Sequence, residues 1–329
     1  MSSLVNDTIS DLLDGDVKNK SNKVRNLSRA KKIAHGAPEV MVKISGHTKG
    51  ADHVKAHLDY ISRNGKLEIE DERGETLRGK SAVRALANDW SQDQGKQRKN
   101  SRDTTNIVLS MPAGTDAKDV KNAARAFAKE QFSHNYQYVF ALHTDTESPH
   151  VHLTVKNLGY DGRRLHVKKG DPQTWRERFA DQLERRGVEA EATSRATRGV
   201  IKKGVHQAIL HIRERGLTPE VDQAKIREII EDFNHQRNGE PANPRPWEDT
   251  IKSRQTYVRK AWLTVAKELS KSENQDDQNL GKSIANFVSE MPPMKTERHE
   301  LQNKIAESID KSTIQARNDK QSDREQDER

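Results

Sequence analysis

Four residues within ten positions could do chemistry here: His143, Asp145, His150 and His152, in the stretch HTDTESPHVHLTV at 143–155. The run PHVHLTV alternates polar and apolar side chains, the pattern of a half-buried strand. Successive strand side chains point to opposite faces, so His150 and His152 share one face and Val151, Leu153 and Val155 the other. The preceding run, YVFALH at 138–143, also reads as a strand. The loop 144–149, with Pro149, can fold the two antiparallel and bring His143 beside the other pair. Three converging imidazoles suit a divalent metal, since neutral imidazole is the commonest protein ligand. Two histidines on one strand face are also ordinary polar surface. Asp145 weighs toward the metal, because a carboxylate beside a ligand histidine accepts its second N–H and orients the ring.

The elements that must position these residues follow from periodicity. A strand is expected at 40–44, closed by a turn at 46–50, then a helix at 51–63 that stops before Gly65. At about 100° per residue, Ala51, Val54, Leu58 and Ile61 form its buried stripe. His53, His57, Tyr60 and Asn64 lie on a different flank. A hairpin around 71–74, a helix at 81–92 with Val83, Leu86, Ala87 and Trp90 inward, and a basic loop at 91–102 come next. A central strand at 105–111, a long amphipathic helix at 116–132, the two histidine strands, a charged hairpin turn at 160–164, a strand at 165–167 and a helix at 172–186 complete the region. This order predicts an α+β fold: a central, mainly antiparallel five-stranded sheet with helices on one face, followed by a helical C-terminal region. The expected divisions are a basic N-terminal arm at 1–38 and a catalytic domain at 39–203. A helical domain at 204–270 and a charged, partly helical or disordered tail at 271–329 follow.

Composition narrows the partners. Of 329 residues, 32% are hydrophobic and 33% charged, so much of the chain is solvated surface or extended helix. A net charge of +8 makes a polyanion the first partner to consider. The basic arm (Lys18, Lys20, Lys23, Arg25, Arg29, Lys31, Lys32) reads as a solvated tail when free and a phosphate-neutralising arm when nucleic acid is bound. Without cysteine there is no disulfide, thiolate metal site or cysteine nucleophile. No run is long enough to span a membrane and the N-terminus has no apolar signal core, so the expectation is a soluble cytoplasmic protein without membrane insertion.

Two motifs stand in order: LDYISRNGKLEI at 58–69 and, about eighty residues on, HTDTESPHVHLTV. Together they resemble the single-tyrosine relaxases of mobilisable and conjugative plasmids, in the branch that includes the T-DNA border endonuclease, within the His-hydrophobic-His superfamily. The segment SRATRGV at 194–200 resembles the end of that family's catalytic domain, and the resemblance covers roughly 38–200. It implies a sheet palm with the histidine strands at its centre and the tyrosine helix over it. Tyr60 matches the nucleophile; His143, His150 and His152 match the metal ligands; Asp145 matches the acid that orients a ring or accepts a proton. One departure is the long basic arm, which sets Tyr60 further from the N-terminus than in the family. Outside this register Tyr136, Tyr138 and Tyr160 are rival nucleophiles, though none sits in a matching motif.

The reaction implied is strand-specific nicking at an origin of transfer, single-stranded at the nick, through a 5′-phosphotyrosyl link that later reseals. Tyrosine ordinarily ionises near pH 10, so it needs help at neutral pH; Mg²⁺ or Mn²⁺ is the implied ion. The step exchanges similar esters and needs no nucleoside triphosphate, in agreement with the lack of a GxxxxGK[ST] run. Charge near the site nominates Lys43, Arg63, Lys66, Arg163, Arg164, Lys168, Lys169, Arg195 and Arg198 as DNA contacts. Arg163 and Arg164 at a hairpin tip lead, with Tyr160 or Trp175 as stacking platforms. The family also implies an accessory relaxosome protein and a secretion coupling protein as partners, and passage with the transferred strand. The rivals are a rolling-circle replication initiator of the same superfamily, a non-catalytic DNA-binding accessory protein, and a Zn²⁺ hydrolase, which lacks its HExxH.

Overall fold

The alternating runs pair as one sheet in the computed structural model of the chain, which describes residues 3–14, 23–92, 100–202, 204–241, 243–309 and 311. Its strands are β1 (Met41–Thr48), β2 (Ile69–Asp71), β3 (Thr76–Leu77), β4 (Thr104–Ser110), β5 (Tyr138–His143) and β6 (His150–Lys156). Their order is β1-β4-β6-β5-β2-β3 and every pairing is antiparallel. The fold is α+β, with six strands where five were expected. The 69–77 hairpin adds two short strands, while 165–167 forms none; next to it lie an isolated bridge between Leu158 and Arg164 and a hydrogen bond from Leu165 N–H to the Asn157 carbonyl. β1 also runs on through the expected turn to Thr48, with a bulge between Ile44 and Gly46.

Helices cover both faces rather than one. Val151, Leu153 and Val155 join Tyr138, Phe140, Ile107 and Leu109 beneath α5 (Ala117–Phe132) and α6 (Asp171–Glu184). On the other face Val139 and Ala141 pack with Val54, Leu58 and Ile61 of α3 (Ala51–Ile61) and Val83, Ala87 and Trp90 of α4 (Gly79–Gln92). β5 is apolar on both sides, so a single helical layer would leave one side wet. Asp116 caps α5, its side chain accepting from the N–H groups of Lys118 and Asp119. The expected stripe of α3 is buried except for Ala51, which is exposed.

The chain forms two compact units, Ser28–Thr193 and Met1–Leu27 with Ser194–Arg329. These lines differ from the divisions drawn at 38, 203 and 270. The expected arm contains two helices, α1 (Ser3–Asp14) and α2 (Lys23–Ala34); Lys18 and Lys20 lie outside the described residues. In the first unit Arg29 pairs with Glu191 at 2.9 Å and Lys32 with Glu184, tying α2 to the C-terminal end of α6 and to the segment after it.

The second unit comprises α1 with α7 (Gln207–Glu214), α8 (Glu220–Arg237), α9 (Pro246–Leu269) and α10 (Gln275–Glu290). α9 packs on both α1 and α10. Val258, Trp262, Val265 and Leu269 of α9 are buried, as is Ile229 of α8, while Ile251 is half-buried. The region expected to be a tail supplies α10, which buries Leu280, Ile284 and Val288, and residues 297–309 are helical too. No helix among the described residues is long and apolar enough to cross a membrane.

Candidate active site

β5 and β6 occupy the middle of the sheet, and their register sets His143 opposite His150 and Ala141 opposite His152. All three imidazoles therefore lie on the α3 face. Ring centroids are 4.4 Å apart for His143 and His152, 5.2 Å for His150 and His152, and 5.4 Å for His143 and His150. One ligand nitrogen from each lies within 4.8 Å of the others, so the three can hold a metal ion.

The hydrogen bonds fit that use. His143 donates Nε2–H to the carbonyl of Ile61 at 2.7 Å, which leaves Nδ1 with its lone pair. His150 donates Nδ1–H to the carbonyl of Ser148 at 3.0 Å, which leaves Nε2. Ligand histidines are normally oriented in this way by a carbonyl on the second nitrogen. Burial, with smaller contributions from the neighbouring rings, pushes His152 down to about 3. Burial also lowers His143, against the pull of the Ile61 carbonyl. Both rings are thus neutral, as ligands must be.

Tyr60 stands over this site. Its side chain is 51% exposed, and its ring meets that of His152 edge-on at 5.5 Å. The Ile61 carbonyl that accepts from His143 belongs to the last turn of α3, so one hydrogen bond joins the tyrosine helix to the histidine triad. The rival tyrosines are elsewhere. Tyr138 is buried on the opposite face and pushed up to about 12 by burial. Tyr136 packs against the core of that face, and the Tyr160 hydroxyl donates to Glu72.

After α3 the chain turns through three left-handed residues, Arg63 (φ 51°), Asn64 (φ 58°) and Gly65 (φ 81°). Two non-glycine residues in this region imply local strain of about 1–3 kcal/mol each. The turn carries the Arg63 guanidinium back to 5.2 Å from the Tyr60 ring centroid. Its Nη2 pairs with the Asp145 carboxylate and donates to Nδ1 of His143 at 3.1 Å, the same lone pair a metal would take, so Arg63 must give up that hydrogen bond for an ion to bind there. Asp145 therefore holds an arginine, where sequence reasoning had it accept a histidine N–H. Against a desolvation cost, its own backbone N–H and Arg63 keep its carboxyl below the usual range.

Sequence reasoning gave no role to His57, three residues before Tyr60 on the same flank. His57 Nε2 lies 3.0 Å from Thr154 Oγ1 on the triad face, and burial lowers it to about 4. The i, i+3 spacing was the available signal. Of the proposed DNA contacts only Arg63 has a described contact with this site. Lys43 is exposed on the same sheet face, since it pairs with Val108, the partner of His152. Lys66, Lys168 and Lys169 are exposed, Arg163 lies 3.8 Å from Asp161, and Arg164 lies 3.6 Å from Asp103. Arg195 and Arg198 belong to the other unit. Trp175 is buried against Phe132 and offers no stacking platform.

Three imidazoles that could hold a metal ion thus lie on a sheet face beneath an exposed tyrosine. Residues 60–188 match the family described as Relaxase: MobA/VirD2-like, nuclease domain. It is 30% identical over 191 residues to the T-DNA border endonuclease VirD2 of Rhizobium radiobacter, covering 52% of this chain and 45% of that protein. Against the VirD2 of Agrobacterium fabrum (strain C58 / ATCC 33970) identity is 26% over 233 residues, 64% of this chain and 52% of that one. The chain spans about half the length of the curated relatives it matches.

Proposed function

We propose that this chain nicks one strand of DNA at a plasmid origin of transfer, with Tyr60 as nucleophile. The observation that carries the reading is the exposed Tyr60 ring lying edge-on to His152 within a three-histidine site. The Tyr60 oxygen attacks the scissile phosphorus; the bond to the 3′ oxygen breaks as the bond to tyrosine forms. The phenolic proton ends on the departing 3′ hydroxyl, and the 5′ phosphate stays on the protein. The reverse step, attack by a 3′ hydroxyl on the phosphotyrosine, reseals the strand.

His143, His150 and His152 would hold a divalent ion, Mg²⁺ or Mn²⁺, which would supply positive charge against the phosphate oxygens. Arg63 adds fixed positive charge beside the phenol, and Asp145 holds that guanidinium in place. Lys43 extends the cationic surface along the same face toward the open edge of the sheet, on the side where a single strand would enter. The setting is the bacterial cytoplasm, with an accessory relaxosome protein and a secretion coupling protein as partners and passage alongside the transferred strand.

The test is supercoiled plasmid carrying a cognate transfer origin, incubated with wild type or Tyr60→Phe and Mn²⁺, then read after detergent and protease. Nicked circles from wild type alone, with protein on the 5′ end, are expected. Equal nicking by both proteins removes Tyr60 as nucleophile.

A further inference from the structure

The face of the sheet opposite the triad carries a second built site. A cavity of about 420 Å³ opens there, lined by residues of β1, of β4 and of the 157–167 segment. The bulge in β1 brings His47 into its lining. Ile44 pairs with Ile107, but Gly46 rather than Ser45 pairs with Asn106, so His47 falls opposite Thr105. Without the extra residue His47 would sit one position further along, on the triad face; a bulge re-aims side chains in this way.

Charge and hydrogen bonding point to the occupant. Arg102 and Arg164 line the cavity; Arg102 donates to Nε2 of His47 at 3.0 Å, and Arg164 donates through Nη2 to the Arg102 carbonyl. Arg164 also lies 3.6 Å from the buried carboxylate of Asp103. Its other terminal nitrogen, Nη1, is buried and has no hydrogen-bond partner among the described residues. An unpaired buried donor on a cation is costly and calls for an explanation. Two guanidiniums against one carboxylate leave a single positive charge, because burial and then Arg102 hold His47 below its usual range. That balance suits a phosphodiester, which carries one negative charge. Ile44, Leu165 and Val167 supply an apolar floor, and His47 and His166 are flat rings on which a base can stack. The volume suits one small ligand and excludes a duplex.

We infer that this cavity takes one nucleotide of a bound single strand, its phosphodiester on Arg164 and Arg102 and its base on the apolar floor. The inference rests on the DNA-binding reading above and adds a second contact, remote from the chemistry, on the other side of the sheet.

The full chain, irradiated with a fluorescein-labelled 20-mer of thymidylate substituted with 5-iododeoxyuridine, tests it by mapped crosslinks and fluorescence anisotropy. Crosslinks to peptides holding His47 or His166 are expected. Arg164→Lys keeps the charge beside Asp103 but loses Nη1. It should weaken binding about tenfold and remove those crosslinks at an unchanged melting temperature. His152→Ala, on the other face, should leave the crosslinks in place. Binding with crosslinks only outside the cavity overturns the inference and leaves the DNA reading standing. Occupancy by free thymidine monophosphate without crosslinking to the strand overturns the assignment to DNA. Failure of the wild-type chain to bind the 20-mer at all overturns the inference and leaves the nicking reading to the supercoiled-plasmid test.

Discussion

His143 and His150 each commit one ring nitrogen to a backbone carbonyl, so their tautomers are fixed before any ion arrives. Asp145 has no such hold on a ring; it is bound to Arg63. Two substitutions separate these roles. His150→Ala should weaken Mn²⁺ binding by at least about tenfold, by analogy with the loss seen when even a supporting residue is removed. Asp145→Asn should leave the Mn²⁺ isotherm nearly unchanged while slowing nicking, because it frees Arg63 rather than a ligand. Calorimetric titration of both variants decides it; equal loss of Mn²⁺ would make Asp145 a ligand. The triad was legible because strand alternation is local, and so was the flank of α3 that carries Tyr60. Arg63 was named only for its charge. Its place beside Tyr60 and His143 depends on left-handed backbone at Arg63 and Asn64, where no glycine announces it.

At the level of elements, Gly65 is the joint between the tyrosine helix and α4. Its φ is +81°, and an added Cβ would lie 2.3 Å from the backbone nitrogen of Lys80 and 2.5 Å from the carbonyl carbon of Gly79. Both neighbours are main chain, so relief requires moving one helix end from the other. Gly65→Ala should therefore destabilise the protein by at least about 1–3 kcal/mol. It should also displace Arg63 and the Ile61 carbonyl that orients His143. A lower melting temperature with nicking reduced more than DNA binding is the expected pair of readings. An unchanged melting temperature would mean that the 63–65 turn is not the constraint described. The strands and helices came largely from periodicity. What periodicity missed was set by pairing partners: the β1 bulge, the second helical layer, and the chain at 165–167 that alternates without a neighbour to bond along its length.

For the whole molecule, the dividing lines follow contacts between distant segments that composition does not reveal. α1 looked like part of a free arm, yet Val5, Ile9 and Leu12 are buried and α1 packs on α9, more than 200 residues away. The Thr197 hydroxyl donates to the Leu12 carbonyl at 2.9 Å, and Trp262 Nε1 donates to the Thr197 carbonyl, so three remote segments share one residue. α2 behaves in the opposite sense. Arg29 holds Glu191 with both side chains under a tenth exposed, so a chain cut at 39 leaves a buried carboxylate without its cation. Breaking a buried pair from one side costs about 3–5 kcal/mol. A chain of residues 23–193 should therefore melt well above one of residues 39–203, although both keep every strand and the whole histidine site. A chain of residues 1–203 should self-associate, since α1 would lose its cover, and each uncovered side chain of that size forfeits about 1.5–3 kcal/mol. Thermal melts and light scattering on the three chains check both points. Equal melting of the first two would show that α2 is an appendage after all, and a monomeric 1–203 would show the same of α1.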